Sequence, residues 1–230
     1  MAQAKPTELD RILSSVSLFA GCDEQALAEL ALACRIRQLP KGSIVFFQSD
    51  PAEALFVVNS GCIAIFLSSP DGRELVINEA RSGDYFGELS LLTGQPRSAS
   101  AVTREKSELL VVPMAAFDQL LNSQPQLVQH LLQMTALRLT VSTERERALA
   151  FLDAAGRIVR YLLQLDDENS DKGYMILSQE ELAQRTGLTR QTVAKILGRW
   201  RRAGWLLTGR GRIMLLNRTA LEDVAAESTL

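Results

Sequence analysis

The 230-residue sequence predicts an α+β chain with a β-rich N-terminal domain, one long helix, and a small helical domain that carries a β-hairpin. Three observations predict it. Between Arg37 and Pro113, short runs of β-branched and aromatic residues are separated by turn residues. From about Gln124 to Ala150, apolar residues recur at helical spacing. Beyond Ser178, two capped helical segments precede WLLTGRGRIMLLN, whose glycines Gly209 and Gly211 mark a hairpin tip. A chain of this length supports two compact cores.

EQALAELALACR, from Glu24, reads as a short helix. The runs SIVFF, ALFVVNSG, CIAIFL, ELVINEA, SASAVT and SELLVV then read as strands, with glycines at 42, 61, 72, 83, 87 and 94 between or beside them. Short strands at near-regular spacing suggest an antiparallel barrel or sandwich. Pro70-Asp71-Gly72 is a hairpin turn, since glycine supplies the positive φ. Met114–Leu121 is a short helix ahead of the long one.

The long helix has a seven-residue seam: Val128, Thr135, Ser142 and Leu149 in one row, Leu132, Leu139 and Glu146 in the other. It begins apolar and turns polar. A second register through Leu127, Met134, Val141 and Ala148 fits equally well. Either stripe needs a partner helix, and a homodimer supplies one. Asp153 interrupts the helix and caps the next, Arg157–Leu165. The polar loop DDENSDKG follows, and a short tail helix closes the chain.

Composition is ordinary for a globular protein, 47% hydrophobic and 23% charged. No run approaches the roughly 18 apolar residues of a membrane span. MAQAKPTELDRILSS is not a signal peptide, so the expected location is cytoplasmic. Cys22, Cys34 and Cys62 are scattered with no C-x-x-C pair, so no metal or iron–sulfur cluster is expected. The one histidine, His130, lies in an apolar helix and is not read as a haem ligand. A single histidine and no P-loop leave no catalytic set, so no enzyme is expected.

The net charge of −2 hides an asymmetry. No acidic residue occurs between Glu181 and Glu222, a stretch holding Arg185, Arg190, Lys195, Arg199, Arg201, Arg202, Arg210, Arg212 and Arg218. A solvated basic face normally has acids interleaved. One-signed clustering is the footprint of a phosphate-backbone binder. The same stretch contains LSQEELAQRTGLTRQTVAKILGRWRRAGWL, which has helix-turn-helix spacing. Ser178 caps the first helix, with Glu181 completing a capping box, and Gly187 ends it. Thr189 caps a second helix that presents Arg190, Gln191 and Thr192 outward over a buried side of Val193, Ile196 and Leu197. Arg190 suits guanine and Gln191 adenine; Lys195 suits guanine or phosphate, and Thr192 positions the backbone. Arg199 extends the basic surface. Arg210 and Arg212, at the hairpin, suit phosphates. The partner is double-stranded DNA.

Between Phe86 and Ala99 the sequence reads FGELSLLTGQPRSA. Backbone N–H groups near Gly87 and Arg97, with Ser98, suit an anion, and Glu88 suits a sugar hydroxyl. A loop holding a routine Glu–Arg ion pair is the plainer alternative. This segment resembles the phosphate-binding cassette of cyclic-nucleotide-binding domains. With ALAFLDAAGRI at 148–158 and the helix-turn-helix, the chain from about residue 14 to 215 resembles the CRP/FNR family of bacterial transcription regulators. That resemblance implies a jelly-roll-type cyclic-nucleotide-binding β-roll over 1–123, a dimerisation helix and hinge over 124–152, and a winged helix-turn-helix over 153–230.

The resemblance also implies roles. Arg97 and Ser98 bind the cyclic phosphate, Glu88 the ribose, and Gly87 admits the ligand to the backbone; Leu89 and Ala99 complete the cassette. Arg138, Ser142 and Thr143 lie on the dimer helix, where Ser142 meets the purine from one subunit and Thr143 from the other. Cyclic AMP is the expected effector and cyclic GMP a possible one. Nucleotide bound where the β-domain meets both long helices rearranges the hinge at Phe151, Leu152 and Asp153, so that two recognition helices address a near-palindromic site, and RNA polymerase is a further partner. Two departures bear on this: the hydroxyl pair is Ser-Thr where the family's cyclic-AMP-responsive members have Thr-Ser, and Gln191 stands where they have glutamate, which changes the operator. A family member answering to another effector, or to none, is an alternative; so is a sensor acting through protein contacts alone.

Overall fold

The computed structural model describes residues 8–169 and 171–227. Residues 1–7 of the stretch read for a leader, Ser170 of the polar loop, and 228–230 at the end of the third predicted domain lie outside the described residues. By its internal contacts the chain forms two compact units. One runs to Leu67 and resumes over Ile77–Arg138; the other takes Ser68–Val76 and the chain from Leu139 onward.

The first unit opens with helix α1 (Glu8–Ser15), a 3-10 turn at Ser17–Phe19 and helix α2 (Glu24–Ala33). Strands follow: β1 (Arg35–Leu39), β2 (Ile44–Phe46), β3 (Ala54–Ser60), β4 (Cys62–Ser68), β5 (Glu74–Arg81), β6 (Tyr85–Phe86), β7 (Ser100–Thr103) and β8 (Ser107–Pro113). They make two four-stranded sheets, β1-β8-β3-β6 and β2-β7-β4-β5. This is the double-sheet β-roll the sequence predicts. Helix α3 (Glu88–Thr93) lies between β6 and β7, and α4 (Met114–Ser123) and α5 (Pro125–Phe151) follow β8.

The sheet containing β3 and β8 is covered on both faces. Leu55 and Val57 of β3, with Leu110 and Val112 of β8, join a core with Leu13, Leu27, Phe117 and Leu127 from the helices. The intervening residues Phe56, Val58, Leu109 and Val111 join a second core with Ile63, Phe86 and Ala101, between the sheets. Burial on both faces explains why ALFVV and LLVV are continuous apolar runs with no polar alternation. The predicted turn at Pro70-Asp71-Gly72 is present, with Gly72 at φ 79° and Gly72 N–H donating to Ser69 O at 2.9 Å.

The two registers left open for α5 separate on packing. Leu127 and Leu131 are buried in the first unit's own core. Val128, Leu132 and Leu139 are 48%, 72% and 67% exposed. The exposed stripe thus includes the Val128/Leu132/Leu139 row, and the other register turns inward only at its start, with Leu127 buried and Val141 58% exposed.

The second unit holds α6 (Ala154–Glu168), β9 (Met175–Ile176), α7 (Gln179–Thr186), α8 (Arg190–Arg202), β10 (Leu206–Gly209), β11 (Arg212–Leu215) and α9 (Arg218–Glu227). Asp153 caps α6, its Oδ1 accepting Gly156 N–H at 2.7 Å. Helix α6 is longer than expected at both ends and absorbs Asp166, Asp167 and Glu168 from the predicted loop. Two of those acids bind Arg218 of α9 at 2.9 and 2.8 Å, which gives them a reason to stay helical. The core gathers Ile158, Leu162, Leu182, Val193, Leu197, Leu206 and Ile213 around Trp200. Among the described residues no helix is long and apolar enough to cross a membrane.

Gly61, between β3 and β4, has φ +95°, and a Cβ there would lie 2.7 Å from both Lys106 O and Ser107 Cα. Both obstacles are backbone and cannot swing aside. Gly61→Ala should destabilise the β-roll by about 3 kcal/mol, read as a lowered midpoint in urea denaturation; an unchanged midpoint would refute the close approach.

Candidate functional site

The cassette read from sequence as a loop contains a helix. Glu88–Thr93 form α3, flanked by Gly87 and Gly94, both left-handed (φ 85° and 67°). Gly87 has a second constraint, since a Cβ would meet Arg97 Nη1 at 2.7 Å. The sequence thus places glycine where the backbone must turn and where a guanidinium lies against it.

Arg97 is 4% exposed. Its Nη1 donates to Gly87 O at 2.8 Å and its Nη2 to Ala54 O at 2.6 Å. The guanidinium lies 4.3 Å from the Phe46 ring centroid and 5.5 Å from that of Phe56. No carboxylate sits within ion-pair distance of it among the described residues, and its Nε is buried with no hydrogen-bond partner. Burial pulls the guanidinium below its usual range, against the fields of Asp50 and Glu88. A buried cation with a vacant donor is costly unless an anion completes it. The fit to a phosphate is chemical: a planar fork with N–H groups still to be used.

Two expectations need correction. The backbone N–H of Arg97 is committed, donating to Asp50 O at 2.9 Å, so the anion donor there is the side chain. And Glu88, 3% exposed, pairs with Arg138, whose Nη1 bonds Glu88 Oε1; its partner is not Arg97. Arg138 also donates to Tyr85 O at 3.2 Å and covers the Tyr85 ring. Burial pushes the Glu88 carboxyl up, and the Arg138 charge opposes that. Leu89 and Ser98 are exposed and Ala99 is buried. Ser142 and Thr143 are exposed on α5, with Thr143 Oγ1 donating to Leu139 O at 3.0 Å. Phe46 and Phe56, missed from sequence, carried no motif; they read there only as strand residues.

The second unit presents the reading surface. Ser178 and Glu181 form the expected capping box, and Gly187 is left-handed at φ 65°. Thr189 caps α8 by accepting Thr192 N–H at 3.2 Å. Arg190, Gln191, Lys195 and Arg199 are exposed, and Val193 and Leu197 are buried behind them. Thr192 departs from the outward reading: it is half-buried, and its hydroxyl lies 2.9 Å from that of Thr189. Ile196 is only half-buried, and Trp200 supplies the bulk of that side. Arg210 and Arg212 are exposed at the β10–β11 hairpin, with Arg212 over the Tyr174 ring. Arg218 leaves the basic set, held by Asp166, Asp167 and Glu222. At the hinge, Phe151 ends α5, Leu152 follows, and Asp153 starts α6 through its cap.

Fold and site together define a small-molecule-binding β-roll on one chain with a winged helix-turn-helix. Residues 36–124 match the cyclic nucleotide-binding domain, and residues 156–224 the Crp-like helix-turn-helix domain. A CRP-like cAMP-activated global transcriptional regulator of Mycobacterium tuberculosis is 31% identical over 204 residues, 86% of this chain and 91% of that one. The cAMP-activated global transcriptional regulator CRP of Salmonella typhimurium is 33% identical over 170 residues, 71% of this chain and 81% of that one. Among solved structures, the c-di-GMP responsive global regulator CLP of Xanthomonas campestris has a TM-score of 0.75 at 27% identity, with 84% of this chain and 99% of that one covered. The catabolite activator protein of Thermus thermophilus has a TM-score of 0.53 at 29% identity, with 93% and 100% covered. The chain belongs to the CRP/FNR family of transcription regulators, a cyclic-nucleotide-binding and DNA-binding family, and is not an enzyme.

The Glu88–Arg138 pair sets a pH test. Removing Arg138 leaves a buried carboxylate uncompensated at neutral and alkaline pH. A carboxyl with a raised folded-state value is protonated at low pH, where it needs no counter-charge. Arg138→Ala should therefore cost about 2 kcal/mol at pH 8, and the deficit should shrink toward pH 5. Urea denaturation at both pH values checks it; an equal loss at both would mean that the pair's charge is immaterial.

Proposed function

We propose that the chain is a dimeric, sequence-specific DNA-binding transcription regulator controlled by cyclic AMP bound in the β-roll, with cyclic GMP the next candidate. The observation that carries the effector site is the Arg97 guanidinium: buried, bonded to no carboxylate, with an orphaned Nε. In this reading Arg97 and Ser98 hold the cyclic phosphate, and Glu88, held in place by Arg138, accepts the ribose hydroxyl. Gly87, Leu89 and Ala99 shape the cradle, and Ser142 and Thr143 address the purine from the two subunits. The free Val128/Leu132/Leu139 stripe supports pairing of α5 with its copy.

Nucleotide would shift the balance of dimer arrangements through the hinge, residues 151–153. Two recognition helices about 34 Å apart then read a near-palindrome. Arg190 and Gln191 contact bases, with Lys195 on a base or phosphate. Ser178, Thr189, Thr192 and Arg199 contact or orient the backbone, and Arg210 and Arg212 grip phosphates. The domains would divide at about 123 and 152. RNA polymerase is the expected further partner, and the cytoplasm the expected location.

A second reading keeps the DNA side and changes the effector. It is favoured by the reversed Ser142-Thr143 order and by the similarity to a regulator described as c-di-GMP responsive. Isothermal titration with cyclic AMP, cyclic GMP and cyclic di-GMP separates the two. Arg97→Ala should weaken binding of the preferred cyclic nucleotide at least about 100-fold without unfolding the chain; unaltered affinity would remove the pocket assignment. In gel shifts, cyclic AMP should strengthen binding to a near-palindromic fragment. Arg190→Ala should relax preference at one operator position, worth about 1–3 kcal/mol, whereas Arg210→Ala should weaken all sequences alike. A uniform loss in both variants would leave Arg190 no base to read.

A further inference from the structure

We propose that Phe46 is a positioning residue of the anion site, its ring standing under the Arg97 guanidinium where an ion-paired arginine would have a carboxylate. This rests on the reading of Arg97 as the phosphate-binding residue. A carboxylate would occupy the donors that a ligand needs and would have to be displaced. A ring attracts the cation through its face and takes no N–H. Of the five N–H hydrogens of a guanidinium, Arg97 uses one on Gly87 O and one on Ala54 O. The Nε–H has no partner.

Local structure brings Phe46 there. It is the last residue of β2, where the register with β7 shifts between Ile44 and Phe46; such a bulge re-aims a side chain. Phe46 then joins Phe56 and Phe86 at centroid distances of 5.7 and 5.9 Å. The next four residues clamp the arginine's main chain. Ser49 N–H donates to Arg97 O at 2.8 Å, and Arg97 N–H donates to Asp50 O at 2.9 Å. Asp50 Oδ2 closes the turn by accepting Phe47 N–H at 2.8 Å. Ser49 is held at φ 71°, the one positive φ outside glycine among the described residues, and such strain persists only where surroundings enforce it. Residues 46–50 thus hold Arg97 by both its side chain and its backbone.

The test keeps the shape and changes the ring's charge. Full-length protein with trifluorophenylalanine at position 46, and separately Phe46→Leu and Arg97→Ala, is titrated with cyclic AMP and with cyclic GMP, and thermal unfolding is recorded for each. Fluorination should weaken nucleotide binding about fivefold with an unshifted melting midpoint, and Phe46→Leu about tenfold, the span of a partly desolvated cation–π contact. If the fluorinated protein binds like wild type while Arg97→Ala does not bind, the inference about Phe46 is overturned and the pocket stands. If wild type takes up neither nucleotide, the pocket reading and the inference fall together.

Discussion

Strand β3, buried on both faces, is the constraint on which the first unit turns. Its odd and even side chains belong to different cores: Leu55 and Val57 face the helices, and Phe56 and Val58 the opposite sheet. It pairs with β8 on one side and with β6 on the other. The site inherits its geometry from this strand. Ala54 O, at the strand's start, accepts from Arg97; Phe56 lies against the same guanidinium; and β6 leads directly into Gly87 and Glu88. A one-residue slip of β3 would exchange the two cores and move the carbonyl that anchors the arginine.

Charge is handled in opposite ways in the two units. In the β-roll, a buried cation sits on carbonyls and rings, while the neighbouring buried carboxylate has its own arginine. In the second unit the cations of α8 and the hairpin are exposed, while Arg157 is half-buried and donates to Thr186 O at 3.1 Å. Arg218 is bracketed by three acids, and Arg212 lies on Tyr174.

Much of this was legible in the chain's letters. Caps have short-range chemistry, so Ser178, Glu181, Gly187, Thr189 and Asp153 announced helix ends that the structure places there. Turn glycines and β-branched runs announced the sheets, and the cassette announced its family. What was hidden depended on long-range packing. Helix α3 is too short to show a period. Leu127 and Val128 are equally apolar as letters, and only the core tells them apart. Glu88 found Arg138, 50 residues away, and not Arg97, the basic residue nearer in the cassette. Phe46 and Phe56 gained meaning only once Arg97 was seen to have no acid beside it.

The two faces of α5 have a consequence for how this chain can vary. Leu127 and Leu131 are locked in the core, while Val128 and Leu132, each one position on, point to solvent. Deleting one residue ahead of them would rotate the rest of the helix by about 100°, driving the solvent-facing row inward and the core row out. Point changes along the outer stripe leave the β-roll's core alone, but a change in length does not. The helix is in effect a keyed shaft, tolerant of a new surface and intolerant of a new phase.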